Sequence, residues 1–338
     1  MVQQLLVSIF HRFPILTKKF LSGKGFVFML HRILPEDQRN KYVWNKSLAI
    51  SPEGLENWIK FFKSKGFDII SMDEVIERIN SKKSKKFVAF TIDDGYKDNL
   101  VHGLPILEKH EVPCTIYVSN CFPNNKAVYW WYFLEEYIQK SNSINLSPIG
   151  IDYCKEYSEE NQKEIYDEIR EILRKSDYNT HCLFAKEICG IKNLEEINES
   201  LNLSWSEVKK MSENPLISIG GHTCHHVSLK NQNTSTFKRE ICNGTRELSR
   251  QIGQDIHHFA YPYGSLDDVN VNGIMELKKN NYSSAVLNHP GSIFKGGKKS
   301  NFIIPRMGLT DETSKGRIDD LFLGKIHLRF NGVKKSIL

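Results

Sequence analysis

The stretch Phe87-Val88-Ala89-Phe90-Thr91-Ile92-Asp93-Asp94-Gly95 decides the fold. Six consecutive apolar or β-branched residues read as a strand buried on both faces, as in a parallel sheet covered by helices. The run ends on two adjacent carboxylates and a glycine that permits a sharp turn. In α/β barrels the C-terminal ends of the strands carry the chemistry. Two neighbouring carboxylates repel each other unless something positive lies beside them, so a divalent cation is a natural partner. A capped strand-to-helix turn is the plainer alternative.

Outward from that strand, apolar runs alternate with amphipathic stretches, which is the mark of βα units. Upstream, Phe26–Leu30 reads as the first buried strand. Ser51-Pro52 opens a helix with an apolar face of Leu55, Trp58, Ile59 and Phe62 and a stop at Gly66. Phe67–Ile70 reads as a short strand, and Ser71 with Glu74 as a capping box. Downstream come a helix near Asp98–His110 and a strand at Cys114–Val118. Ser204 with Glu207 caps a further helix, followed by strands at Leu216–Ile219, Ile256–Tyr261 and Ser283–Leu287. Helices near Thr234–Gln251 and Asp267–Lys279 lie between them. The architecture predicted is α/β, a parallel barrel with helices outside. Its regularity breaks at residues 124–203, a stretch too long for a βα loop that reads as a wholly helical inserted subdomain.

With 338 residues, 40% hydrophobic and 25% charged, the chain suits one barrel of 26–330 plus that insertion. A basic tail at 331–338 follows. The net charge of +6 is mild, so nucleic acid is not an expected partner, and Lys82-Lys83 and Lys85-Lys86 read as solvated loop. Seven scattered cysteines form neither a C-x-x-C pair nor a disulfide framework, which suits a reducing, cytoplasmic setting. No run is long enough to span a bilayer. Residues 1–25 are basic and amphipathic, and Met1–Pro35 holds no acidic residue. His11-Arg12 and Pro14 interrupt what would be a signal-peptide core. Such a segment suits either peripheral contact with the inner membrane face or packing on the barrel end. Nothing in the sequence addresses oligomeric state.

The second constellation is Gly221-His222-Thr223-Cys224-His225-His226, directly after an apolar strand. Three imidazoles stand within five residues, and His222 and His226 at i, i+4 converge on one ion if Thr223 begins a helical turn. The third ring is then a neighbour only. Asp94, His222 and His226 together supply one oxygen and two nitrogens, a set suited to zinc or a similar first-row cation with positions left open for water and substrate. Asp93 is then free to act as general base.

Thr91–Gly95 and His222–His226 resemble the first two signature motifs of the polysaccharide deacetylase family. That resemblance implies a distorted (β/α) barrel, a divalent metal cofactor, Asp93 as base, and Asp94, His222 and His226 as metal ligands. Phe259-Ala260-Tyr261-Pro262-Tyr263-Gly264 resembles the third motif, which places Pro262 and Tyr263 at the substrate and oxyanion position. The arginine that leads this motif in the family is absent here, with Ala260 standing in its place; Arg306, following a last apolar strand read at Ile303-Ile304, is the candidate to orient the base instead, with a salt-bridged structural arginine as the alternative. His31, at the end of the first strand, resembles the acid histidine of a branch in which that residue precedes the aspartate pair, with a residue that merely caps the strand as the alternative. The activity implied is removal of N-acetyl groups from a polysaccharide or its precursor, with an N-acetylated glycan as partner and a role in cell-surface polysaccharide biosynthesis. An O-acetyl carbohydrate esterase and an inactive carbohydrate-binding relative are the alternatives.

Overall fold

Eight parallel strands build the central sheet: β1 Gly25–Leu30, β2 Asp68–Ile69, β3 Phe87–Asp94, β4 Cys114–Val118, β5 Ile217–Gly221, β6 His258–Ala260, β7 Ser284–Val286 and β8 Arg306–Gly308. The computed structural model describes residues 10, 12–39, 41–81, 85–230, 232–295 and 300–335. Neighbours run β7-β6-β5-β4-β3-β1-β8, and β2 flanks the lower half of β3. A parallel bridge between Val286 and Ile304 brings the lead-in to β8 onto β7, so the sheet nearly closes into a barrel.

Period-two alternation assigns each residue of β1 and β3 to a layer. Phe26, Phe28 and Leu30 on β1, with Val88, Phe90 and Ile92 on β3, face outward. There they meet the helix Pro52–Ser64 through Leu55, Trp58, Ile59 and Phe62. Val27, Phe87, Ala89, Tyr117, Ala260 and Val286 form the separate cluster of the barrel interior. Gly220 belongs to this packing, since a Cβ there would lie 2.4 Å from the Tyr117 ring.

Residues 124–203 correct the expectation of an all-helical insertion. The helices Trp130–Lys140, Gln162–Arg174, Tyr178–Leu183 and Leu194–Leu201 are present, but Ser143–Asn145 and Cys154–Glu156 pair as an antiparallel hairpin. Asn145 turns the chain by accepting from the Ser147 N–H at 2.9 Å, and Gly150 completes the reversal at φ 77°. This stretch packs around its own aromatic cluster, which includes Tyr129, Trp130, Leu134, Tyr166 and Phe184 and reaches Tyr96 of the barrel.

Two further expectations need correction. The helix read at Thr234–Gln251 is interrupted by a wide turn at Arg239–Asn243, which carries the buried Glu240 inward. The last strand is Arg306–Gly308, paired with Val27–Met29, so Arg306 begins the strand; Ile303-Ile304 only leads into it. The helices Lys315–Phe322 and Lys325–Asn331 follow, and the latter packs on the helix Pro14–Leu21.

Residues 1–9 and 11, Lys82 and Lys83, and 336–338 lie outside the described residues, and with them part of the N-terminal and C-terminal segments named above. Lys85 pairs with Asp68 at 2.6 Å and the Lys86 ammonium donates to Ser22 Oγ at 3.0 Å. Among the described residues no helix is long and apolar enough to cross a membrane.

Candidate active site

Asp93 and Asp94 end β3, and strict alternation would send their side chains to opposite faces. Asp94 instead takes a left-handed backbone (φ 82°) ahead of Gly95 (φ 108°), which turns its carboxylate back over the barrel mouth. There Oδ1 faces Nε2 of His222 at 3.4 Å and Nε2 of His226 at 3.2 Å. The loop after β5 brings both imidazoles in, though by a different route from the predicted helical turn. Thr223 (φ 67°) and His226 (φ 54°) are both left-handed, so His222–His226 is a doubled-back loop.

The donor set fits a cation. Asp94 Oδ1 is buried with no hydrogen-bond donor among the described residues. The His222 Nδ1–H donates to the Ala260 carbonyl at 2.8 Å, which leaves Nε2 as a lone-pair donor toward Asp94. Burial opposes charge on Asp94, yet the facing imidazoles hold its carboxyl well below the ordinary carboxylate range. A buried carboxylate oxygen aimed between two bare imidazole nitrogens is costly unless a positive centre joins them.

Asp93 has a different partner. Arg306 grips it bidentately, with Nη1 to Oδ1 and Nη2 to Oδ2 both at 2.7 Å, and the pair is buried. The guanidinium also donates to Thr91 Oγ1 at 3.0 Å and to the Leu287 carbonyl at 2.9 Å. Burial alone raises a carboxyl, but Arg306 outweighs it and keeps Asp93 below its ordinary value, hence ionised. The arginine enters from β8, and Ala260 of β6 lies in the same interior layer as the residues around it.

His31 follows β1 and opens onto the same cleft, its backbone carbonyl accepting from Asn99 Nδ2 at 2.8 Å. Enclosure by protein pushes its imidazole below the ordinary histidine value, against the pull of Asp94 and Asp93. Pro262 lies in the loop after β6, beside Tyr263. Tyr263 is left-handed (φ 60°), sets its ring edge-to-face with that of His226 at 4.9 Å, donates its hydroxyl to the His226 carbonyl at 3.3 Å and accepts from the Trp130 indole at 3.2 Å. Its backbone N–H meets no acceptor among the described residues.

His31, Asp93, Asp94, His222, His226, Tyr263 and Arg306 line a cleft of about 840 Å³, whose lining does not include Pro262. One wall comes from residues 124–203: Trp130, Trp131, Arg170, Glu171 and Arg174. Arg174 ties this wall to the barrel, donating to both oxygens of the buried Asp268 at 2.6 and 2.7 Å. The two tryptophans serve packing first, being 1% and 7% exposed, but the buried Trp131 N–H has no acceptor among the described residues.

His225 points away from Asp94. Its Nδ1–H and backbone N–H donate to the two oxygens of Glu240, at 2.8 and 2.9 Å, and the Cys224 thiol donates to the Arg239 carbonyl at 3.2 Å. Cys224, His225 and Glu240 cluster as ligands would, but each is already satisfied, and the cluster anchors the loop that carries His222 and His226. Sequence reading passed over Glu240 and Glu135. The latter is fully buried and accepts from the Trp44 and Asn45 N–H groups, at 2.9 and 3.1 Å, and from Asn45 Nδ2 at 2.7 Å. Glu135 sits on the helix Trp130–Lys140 and Glu240 in the wide turn at Arg239–Asn243, each beside ordinary charged residues, and only their inward orientation sets them apart.

The chain belongs to the polysaccharide deacetylase family, whose model matches residues 80–282. His31 and Arg306 fall outside that range. No curated protein sequence matches the chain. Among solved structures, a Streptococcus pyogenes deacetylase, PplD, in complex with acetate is similar at 15% identity and TM-score 0.57, covering 89% of this chain and 97% of that one. A de-N-acetylase from Aggregatibacter actinomycetemcomitans is similar at 14% identity and TM-score 0.55, with coverage of 88% and 99%. IcaB from Ammonifex degensii is similar at 15% identity and TM-score 0.54, with coverage of 89% and 97%. At these identities the likeness is one of fold, that of the (β/α) deacetylase barrel.

Proposed function

We propose that the protein is a metal-dependent hydrolase that removes N-acetyl groups from sugar residues of a polysaccharide or its precursor. The observation that carries this reading is the partition of the two carboxylates: Asp94 faces two bare imidazole nitrogens, while Asp93 is held by an arginine and kept clear of them. Asp94, His222 and His226 would hold the cation, and this oxygen-and-imidazole set suits zinc. When bound, such a cation supplies Lewis acidity and brings the pKa of a coordinated water from 15.7 toward about 7.

The remaining steps belong to this chain's own residues. Ionised Asp93, fixed in orientation by Arg306, takes the proton from the attacking water as its oxygen bonds the acetyl carbon. The free Tyr263 N–H, presented by the left-handed turn after Pro262, faces the oxyanion that forms. His31 protonates the sugar nitrogen as the C–N bond breaks, releasing acetate and the free amine. Burial that weakens its hold on a proton makes its imidazolium a strong acid, and the adjacent carboxylates favour the proton's arrival. The de-N-acetylase from Aggregatibacter actinomycetemcomitans among the structural relatives supports the amide as substrate.

The test separates the two carboxylates. Asp94→Asn should lose both bound metal, read by elemental analysis of the purified protein, and acetate release from N-acetylated oligosaccharide. Asp93→Asn should retain the metal and lose turnover by about two to four orders of magnitude. Turnover unchanged in Asp93→Asn overturns the assignment of the base.

A further inference from the structure

The helix Pro14–Leu21 and the helix Lys325–Asn331 pack on each other at the barrel's flank and share an unusual composition. Eight large apolar side chains are exposed among the described residues, and four of them, Phe13, Ile15, Phe20 and Phe330, belong to this pair and its cap. Ile15 is 83% exposed, the highest of all. Neither helix contains an acidic residue, while Lys18, Lys19 and Arg329 stand among the apolar groups, Lys19 over the Phe20 ring at 5.7 Å and Arg329 over Phe330 at the same distance. Exposed rings and aliphatics interleaved with unneutralised cations make a poor partner for water and a good one for a bilayer surface that offers negative headgroups above apolar chains.

We infer that this two-helix face docks the protein on an anionic lipid surface. Uncompensated positive charge is the feature that selects this occupant: a second copy would set lysine against lysine. Like charges already meet here: Lys86 is lowered by burial and then by Lys18, and Lys24 by burial and then by Lys295. The position also suits a docked enzyme. The first helix leads through Gly23 into the N-terminal end of β1, whereas His31 stands at the other end of that strand, about 20 Å away. On the second helix, Phe330 packs on the His289 ring at 6.1 Å, between the cleft residues Asn288 and Pro290, so that end of the face lies beside the cleft's rim. The inference does not depend on the chemistry of the cleft.

Full-length protein is sedimented with vesicles of phosphatidylglycerol mixed into phosphatidylcholine and with phosphatidylcholine alone. Preferential pelleting with the anionic vesicles, weakened by salt, is expected. Lys18→Glu with Lys19→Glu should weaken it by at least about thirtyfold, because each cation near such a surface contributes roughly a factor of five. Ile15→Ser with Phe20→Ser, and separately Phe330→Ser, should weaken it too, with unchanged circular dichroism and unchanged acetate release from a free oligosaccharide. The Phe330 variant tests the C-terminal helix independently of the N-terminal one. Equal partition into both vesicle types, retention of anionic binding by the charge-reversed variant, or a dimer that Ile15→Ser dissolves would each overturn the inference.

Discussion

The mouth of the barrel and the wall that residues 124–203 raise beside it are held by different forces. At the mouth, groups are placed by the main chain: parallel register puts Asp93 and Asp94 at the end of β3, and left-handed residues aim Asp94 and His226. In the wall, side chains do the holding. Aromatic rings fill a cluster of their own, and buried amides and carboxylates such as Glu135, Asn198 and Asn202 satisfy one another and nearby backbone. The difference teaches that the chemistry and the shape of the cleft are separable, so damage to the mouth should appear in turnover and damage to the wall in stability and substrate binding.

The sharpest way to break that division is at Arg306. Arg306→Met strands the buried Asp93 charge and should cost roughly 3–5 kcal/mol in stability, measured by urea denaturation. Its second signature is a pH profile. The ion pair depresses the folded-state carboxyl, so its stabilisation is present above the ordinary carboxylate value and is lost as pH falls through the depressed one. Without Arg306 the Asp93 carboxyl rises, and the acidic limb of kcat should move to higher pH. A variant with unaltered kcat and limb would show that the arginine does not orient the base.

Glu135→Ala probes the wall. It leaves the Trp44 and Asn45 donors buried without acceptors, at a cost of about 3 kcal/mol. Because that segment carries Ser47 and Leu48 to the cleft, KM should rise while kcat in the folded protein stays near that of the unsubstituted enzyme. A selective fall in kcat would merge the two regions.

His181 makes the wall acid-sensitive. Burial lowers its pKa from 6.5 to about 4, with Nε2 against the Leu173 carbonyl at 2.7 Å. Between those values the unfolded chain binds the additional proton, so stability falls as pH drops through this window, by roughly 3 kcal/mol in all. His181→Gln should flatten the dependence of thermal unfolding on pH between 6.5 and 4; an unchanged slope would place the acid sensitivity elsewhere.

The smallest effect is expected at Trp131, whose N–H has no acceptor among the described residues. Trp131→Phe preserves most of the packing and removes the donor. If that donor meets a sugar hydroxyl, KM should rise about tenfold, for roughly 1 kcal/mol or slightly more. Identical KM for both forms would assign the residue to packing alone.

Much of the barrel was legible along the chain because burial on two faces writes itself as continuous apolar runs, at Phe26–Leu30, Phe87–Ile92 and Cys114–Val118. The strand Arg306–Gly308 was not, since three residues opening on a charged side chain carry no such signal. Asp93, Asp94, His222 and His226 stood out because residue type and local spacing show in one dimension. What folding alone decided was who meets whom. Arg306 reaches Asp93 across 213 residues, and of three neighbouring histidines the one turned away is His225, drawn off by a glutamate fifteen positions on. Local order determined the strands and the reactive groups, because both depend on neighbours a few bonds apart. The pairing of charges and the aim of each ring depend on contacts between distant segments, which come into being only when the barrel closes.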